Sequence, residues 1–275
     1  MCTILMSDAQ HFNVNYIINP WMKDQINQVS NHTAQQQWND LKAIICRYTD
    51  VTLVPSHSQV PDLVFTANAG TVKDNICILS HFRHAERQAE EPLFKQWFID
   101  HGFKVIEMPD HIFFEGAGDS LFSHNHSILW MGFGFRSDLA ASEFITQQLK
   151  IRVIPLKLID PRFYHLDTCF CPMPSGHILY YPQAFNAEAQ QRIQAEFPTS
   201  KRIPISEQDA ITFACNAICL DNNQSADYPY TVVLNDCSST LQTTLEQHGY
   251  EVIKTPTSEF LKSGGATKCL TLKIS

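Results

Sequence analysis

What the sequence lacks narrows it first. It has no uninterrupted apolar run of about 18 residues, the length a membrane-spanning helix needs. Its 20 lysines and arginines are scattered, and the formal net charge is −8. Nucleic acid and anionic membranes both call for a concentrated basic surface, so neither is expected as a partner. The start, Met1 to Asp8, lacks a basic segment followed by a long apolar one and does not read as a signal peptide. No glycine-rich stretch matches a phosphate loop or a dinucleotide fingerprint, so no nucleotide cofactor is implied. Cys169-Phe170-Cys171 and His81/His84 lack the paired spacings of zinc ligands, and no metal is expected. The nine cysteines, an odd number spread over 275 residues, fit reduced cytoplasmic thiols better than a disulfide framework. Small-molecule chemistry is the class left standing.

What is present is a recurring pattern of short apolar strands around an amphipathic helix. The first unit predicts strands at 62–66 and 76–80, a helix over 87–101 and a strand at 104–108. The second predicts strands at 120–122 and 127–130, a helix over 138–150 with Asp138 as N-cap, and a strand at 152–156. A third runs from Cys169 through strand 178–180 and helix 187–196 to strand 202–205. A fourth holds strands at 213–220 and 231–234, a helix over 239–247 and a strand at 250–253. The last predicted strand, 268–274, has no helix after it. The N-terminal part supplies an extended start around 15–18, a helix within 33–46 and a strand at 51–54. Joining the two ends completes a fifth ββαβ unit and closes the array, which removes exposed sheet edges. The pattern alone also permits an open α/β sandwich.

The repeat has a chemical consequence. Asn68, Glu115, His165, Asn216 and Cys269 are 47, 50, 51 and 53 residues apart, each near the first strand of its unit. Equivalent positions in a closed array point at one axis, so a thiol, an imidazole, a carboxylate and two amides are candidates for one pocket.

Each segment is read on its own chemistry. Cys269 follows Gly264 and Gly265, which permit close approach of a ligand, and adjoins Lys268, which favours a thiolate. His165 and Asp167, two apart in a predicted strand, share a face, one to move protons and the other to hold a cation or orient the imidazole. Glu115 sits between phenylalanines and glycines, where desolvation is expected to raise its pKa.

Five motifs in order, Asn19-Pro20-Trp21-Met22, Pro61 to Gly70, Glu115-Gly116-Ala117-Gly118-Asp119, His165-Leu166-Asp167-Thr168 and the Gly-Gly-x-x-Lys-Cys end, resemble the amidinotransferase, or guanidine-modifying, superfamily. The resemblance covers essentially the whole chain. It implies a five-bladed α/β propeller, one domain over 1–275, no metal or organic cofactor, and a cysteine hydrolase acting on the guanidinium of arginine or an arginine derivative. It further implies Cys269 as nucleophile, His165 as acid and base, and Glu115 and Asp167 gripping guanidinium nitrogens, through an S-alkylthiouronium. Arg136 resembles the arginine that clamps the substrate α-carboxylate, with Arg87 a second candidate. Asn19 and Asp119 fall among the substrate contacts. Oligomeric state leaves no trace in these motifs.

One departure separates members of that superfamily. Deiminases and dimethylarginine hydrolases carry aspartate where this chain has Asn68, whereas arginine dihydrolases resemble it in having Thr-Ala-Asn. That points to two rounds of hydrolysis, giving ornithine, carbon dioxide and two ammonia. A dimethylarginine dimethylaminohydrolase or an arginine deiminase giving citrulline is the nearest alternative, and an inactive propeller serving as a binding factor is a third.

Overall fold

The computed structural model describes residues 3–274. Among them stand five three-stranded sheets, all built alike. The first four are β3 (Gly70–Lys73), β4 (Ile76–Leu79) and β5 (Lys104–Ile106); β6 (Ser120–Phe122), β7 (Ile128–Phe133) and β8 (Arg152–Lys157); β9 (Phe170–Pro172), β10 (Ile178–Tyr180) and β11 (Arg202–Pro204); and β12 (Ile218–Asp221), β13 (Tyr230–Leu234) and β14 (Tyr250–Lys254). In each, the first strand pairs antiparallel with the second, a helix follows, and the third strand lies parallel to the second. The fifth sheet joins the two ends. Strand β1 (Thr3–Met6) lies between β15 (Leu272–Lys273), antiparallel with Leu5 opposite Leu272, and β2 (Asp50–Leu53), parallel with Ile4 opposite Val51. The array is therefore a closed five-bladed α/β propeller, and the open sandwich is excluded.

The helices form where spacing and caps agree. Helix Asn31–Ile45 buries Ala34, Trp38, Leu41 and Ile45, a single face at steps of four and three, and Ser30 caps it by accepting from Thr33 N. Helix Ser239–Gln247 buries Leu241 and Leu245 one turn apart beneath a Ser238 cap. Full burial of each such leucine stabilises by about 1.5–3 kcal/mol. No helix of the described residues is long and apolar enough to cross a membrane.

Several predicted elements differ from those observed. The extended start is Thr3–Met6, not 15–18; the latter belongs to a loop whose Ile18 enters the central cavity. The predicted helix 87–101 is two helices, Ala85–Gln88 and Glu91–Asp100, because Pro92 lacks an amide proton and fits only a first turn. Asp138 does not cap its helix. Its carboxylate pairs with Arg83 and accepts from Phe113 N, leaving Leu139 at the cap position.

The largest class of difference concerns the segments that carry the polar residues. Residues 62–66, read as a strand, form single-turn helices at Pro61–Val64 and Thr66–Ala69. Residues 213–217 make a turn, with Phe213 in the left-handed region at φ 61°, and the strand begins only at Ile218. Of 268–274 only Leu272 and Lys273 are strand. In each case a compact turn precedes a short inner strand, and alternation of side chains cannot distinguish the two over so few residues.

Candidate active site

Those turns converge on the propeller axis. Asn68 lies in the turn before β3, Glu115 at the head of the turn Gly116–Asp119 before β6, and His165 at the head of Leu166–Thr168 before β9. Asn216 follows the left-handed Phe213 ahead of β12, and Cys269 lies just ahead of β15. The five positions are thus structurally equivalent, and hydrogen bonds stitch them into a ring. Asn68 Nδ2 donates to the Glu115 carbonyl at 3.0 Å, and Glu115 Oε2 meets His165 Nε2 at 2.8 Å. Asn216 Nδ2 donates to the Asp167 carbonyl and to Cys269 Sγ, both at 3.1 Å. The Cys269 carbonyl accepts from Ala67 N at 3.1 Å, which closes the circle.

Two glycines make this approach possible. A Cβ on Gly118 would collide with Asn68 Nδ2 and come to 3.2 Å from His165 Nδ1. Gly264, at φ +77°, sits against Trp21 and the Tyr164 hydroxyl, so a side chain is excluded by both backbone and space.

A narrow cavity opens at the ring, lined by Asn19, Asn68, Arg87, Arg136, His165 and Cys269, and also by Ile18, Asp62 and Tyr164. Six of the nine site residues expected from sequence therefore share it. Glu115, Asp167 and Asp119 stand behind it. Asp119 accepts from Ser137 Oγ at 2.6 Å and Leu166 N at 3.0 Å, 4.0 Å from His165 Nε2. It buttresses the imidazole and offers the cavity no contact.

His165 and Asp167 do not share a face. The turn Leu166–Thr168 rotates them apart, so Asp167 Oδ2 lies 3.5 Å from Cys269 Sγ while His165 turns to Glu115. The imidazole is oriented by Glu115. With Nε2–H donated to that carboxylate, Nδ1 is the nitrogen left with a lone pair.

Electrostatics divide the site. Burial works to raise the Glu115 carboxyl, but Arg136, 2.9 Å from Oε2, and His165 override it and hold it well below the usual carboxylate range. The expectation of a raised pKa fails because a cation lies against the acid. Burial pulls His165 down to about 4 despite Glu115, so the imidazole is neutral. Burial pushes Asp167 up to about 6 and, with Asp167 beside it, raises the Cys269 thiol well above its ordinary value. Lys268 lowers the thiol's pKa, but less than burial raises it.

Four groups at the site had no role in the sequence reading. Glu90 clasps Arg87 through both oxygens, at 2.8 Å to Nε and 2.7 Å to Nη2, leaving Arg87 Nη1 to donate to Asn68 Oδ1 at 2.9 Å. Their spacing of three on the predicted helix 87–101 was the signal available for that pair, although Glu90 lies between the two helices observed. Asp62 accepts from Tyr16 and Ser263, and Arg136 donates to the Ile18 carbonyl and stacks on Tyr164. Ile18 and Tyr164 carry no pattern that alternation or spacing reveals.

Comparison with known proteins follows the same lines. The chain matches the family described as N,N dimethylarginine dimethylhydrolase, eukaryotic, over residues 5–275. It is 46% identical over 272 residues to the bifunctional arginine dihydrolase/ornithine cyclodeaminase ArgZ of Synechocystis sp., covering 99% of this chain and 37% of that protein. The chain thus spans 37% of the length of the bifunctional cyanobacterial relatives. It is 36% identical over 270 residues to the N(G),N(G)-dimethylarginine dimethylaminohydrolase of Mycobacterium tuberculosis, covering 98% of this chain and 84% of that one. The crystal structure of the substrate-bound N-terminal domain of ArgZ superposes with a TM-score of 0.95 at 46% identity, covering 100% of this chain and 98% of that one.

Proposed function

The chain belongs to the N,N dimethylarginine dimethylhydrolase family, and from that premise we propose that it is an arginine dihydrolase. It takes arginine and two waters to ornithine, carbon dioxide and two ammonia, with residues 1–275 working as one domain. The observation that carries this reading is Asn68, a neutral amide in a cavity shared with Cys269 and His165. The likeness to the cyanobacterial dihydrolase domain supports it. The eight free thiols among the described residues suit a reducing, cytoplasmic setting.

The geometry suggests how the chemistry proceeds. In the empty site Cys269 is a thiol, held there by burial and by Asp167. An arriving guanidinium places a positive charge beside both, which favours the thiolate. The neutral His165 takes the thiol proton at Nδ1 while Glu115 stabilises the imidazolium across Nε2. Thiolate attack on the guanidinium carbon forms the C–S bond, and His165 returns the proton to the departing ammonia. His165 then removes a proton from water, which attacks the thiouronium carbon and expels the thiolate. Arg87 and Arg136 supply cations for the α-carboxylate, and Asp62 an anion for the α-ammonium.

After one round the substrate carries a neutral ureido group. Asn68 both donates and accepts, so it satisfies a carbonyl oxygen as well as an N–H, and the group stays for a second attack. The experiment is product analysis at early time with arginine. Wild type is expected to deliver ornithine, and Asn68→Asp to shift the product toward citrulline, because an ionised carboxylate has no donor for the ureido oxygen. Citrulline alone from wild type would return the reading to a deiminase.

A further inference from the structure

Asn216 supplies the fourth of the five equivalent positions, is completely buried and does not line the cavity. Its side chain nevertheless addresses the nucleophile from two directions. Oδ1 accepts from Cys269 N at 3.1 Å, one Nδ2 proton goes to the Asp167 carbonyl at 3.1 Å, and the other points at Cys269 Sγ, also 3.1 Å away. The orientation of the amide is decided by the backbone. Flipping it would set Nδ2 against the Cys269 N–H and Oδ1 against the Asp167 carbonyl, costing two buried hydrogen bonds. The N–H aimed at sulfur is therefore locked in place before substrate arrives.

That placement matters because the other polar side chain at the sulfur works the opposite way. Asp167 Oδ2, 3.5 Å from Sγ, accepts from a thiol and repels a thiolate. An amide N–H is a weak partner for S–H and a strong one for S⁻, since hydrogen bonds to an ionised acceptor are roughly twice as strong as neutral ones. We infer that Asn216 is the thiolate-stabilising donor of this site, a group that acts on the reacting sulfur both when Cys269 is deprotonated for attack and when it departs from the intermediate. The fourth unit, which contributes neither acid, base nor nucleophile, thereby takes part in the chemistry.

This rests on Cys269 being the nucleophile, and the test separates the two. The full chain, as wild type, Asn216→Ala and Asn216→Asp, is alkylated with iodoacetamide across a pH series, with the labelled thiol identified by mass spectrometry. Asn216→Ala removes the donor without adding charge and so isolates the proposed action. Asn216→Asp keeps the acceptor for Cys269 N–H but loses the donor to both the sulfur and the Asp167 carbonyl and adds a like charge beside a thiolate, so where the alanine variant does not fold it is the unchanged profile of Asn216→Asp that decides. The pH midpoint of alkylation is expected to rise by about one unit in both, a tenfold slower reaction near neutral pH. Turnover of arginine should fall about 10²-fold with KM within about threefold, because Asn216 meets the sulfur and not the substrate. An unchanged alkylation profile in folded Asn216→Asp overturns the inference and makes the amide a structural anchor only. Wild-type labelling at another thiol, unaffected by arginine, overturns both the inference and the nucleophile assignment.

Discussion

The two walls of the cavity are equally buried and electrostatically opposite. On the side of the first two units Asp62, Arg87 and Arg136 line it, with Arg87 forked onto Glu90 and Arg136 Nη1 donating to Glu115 behind them. On the side of the last two units the Cys269 thiol lines it, with Asn216 and Asp167 behind. Burial penalises charge on both sides, yet Glu115 is driven below its ordinary range while Cys269 and Asp167 are driven above theirs. The difference is the set of partners, not the depth: Glu115 has both Arg136 and the His165 imidazole against it, whereas burial still pushes Glu90, clasped by Arg87, up to about 7, and Asp167, where Lys268 is the cation opposing burial, up to about 6. A site so divided holds Glu115 as a carboxylate beside Arg136 and leaves Cys269 as a thiol.

The sharpest way to break this contrast is at the thiol. Cys269→Ser is expected to lose turnover by more than about 10³-fold, since a serine alkoxide is far less accessible near neutral pH than a thiolate. Arginine should still bind, measured by calorimetry, because the charged wall is untouched. Activity within tenfold of wild type would remove Cys269 from the mechanism.

Gly118→Ala tests whether the two walls must touch. The added Cβ collides with Asn68 Nδ2, inside the buried ring. Overpacking of this kind costs about 1–3 kcal/mol. A lowered urea midpoint with displaced product ratio is the expected result, and an unperturbed midpoint would mean that the ring relaxes freely around residue 118.

The smallest effect reads the neutral imidazole. His165 has a folded pKa near 4 against about 6.5 when unfolded. Between those values the unfolded chain binds the extra proton, so this group's contribution is complete above about pH 6.5 and is lost as pH falls through about 4. From pH 7 to pH 5 the loss is on the order of 2 kcal/mol. Asp167, raised to about 6, works in the reverse sense over an overlapping window, so wild type alone does not isolate either group. His165→Gln should lose less stability on that acidification than wild type. Equal losses from both would show that the imidazole titrates normally.

Legibility follows from the physics of each segment. Helices 187–196 and 239–247 were predicted to the residue, because a helix writes its buried face and its cap, Asn186 or Ser238, into contiguous sequence. Of the inner strands only Ser120–Phe122 was; the others, two to four residues flanked by turns, carry too little alternation. The expected pairing of His165 with Asp167 failed for that reason: one single-turn helix replaced a strand and sent the two side chains to different partners.

The sequence by itself determined the repeat, the equivalence of Asn68, Glu115, His165, Asn216 and Cys269, and the amide at 68, since spacing and residue type are local properties. Only the tertiary structure decided the charge state of those groups. Arg136 comes to Glu115 from 21 residues away and Asp167 to Cys269 from 102, and a pKa is set by what stands within a few ångströms in space.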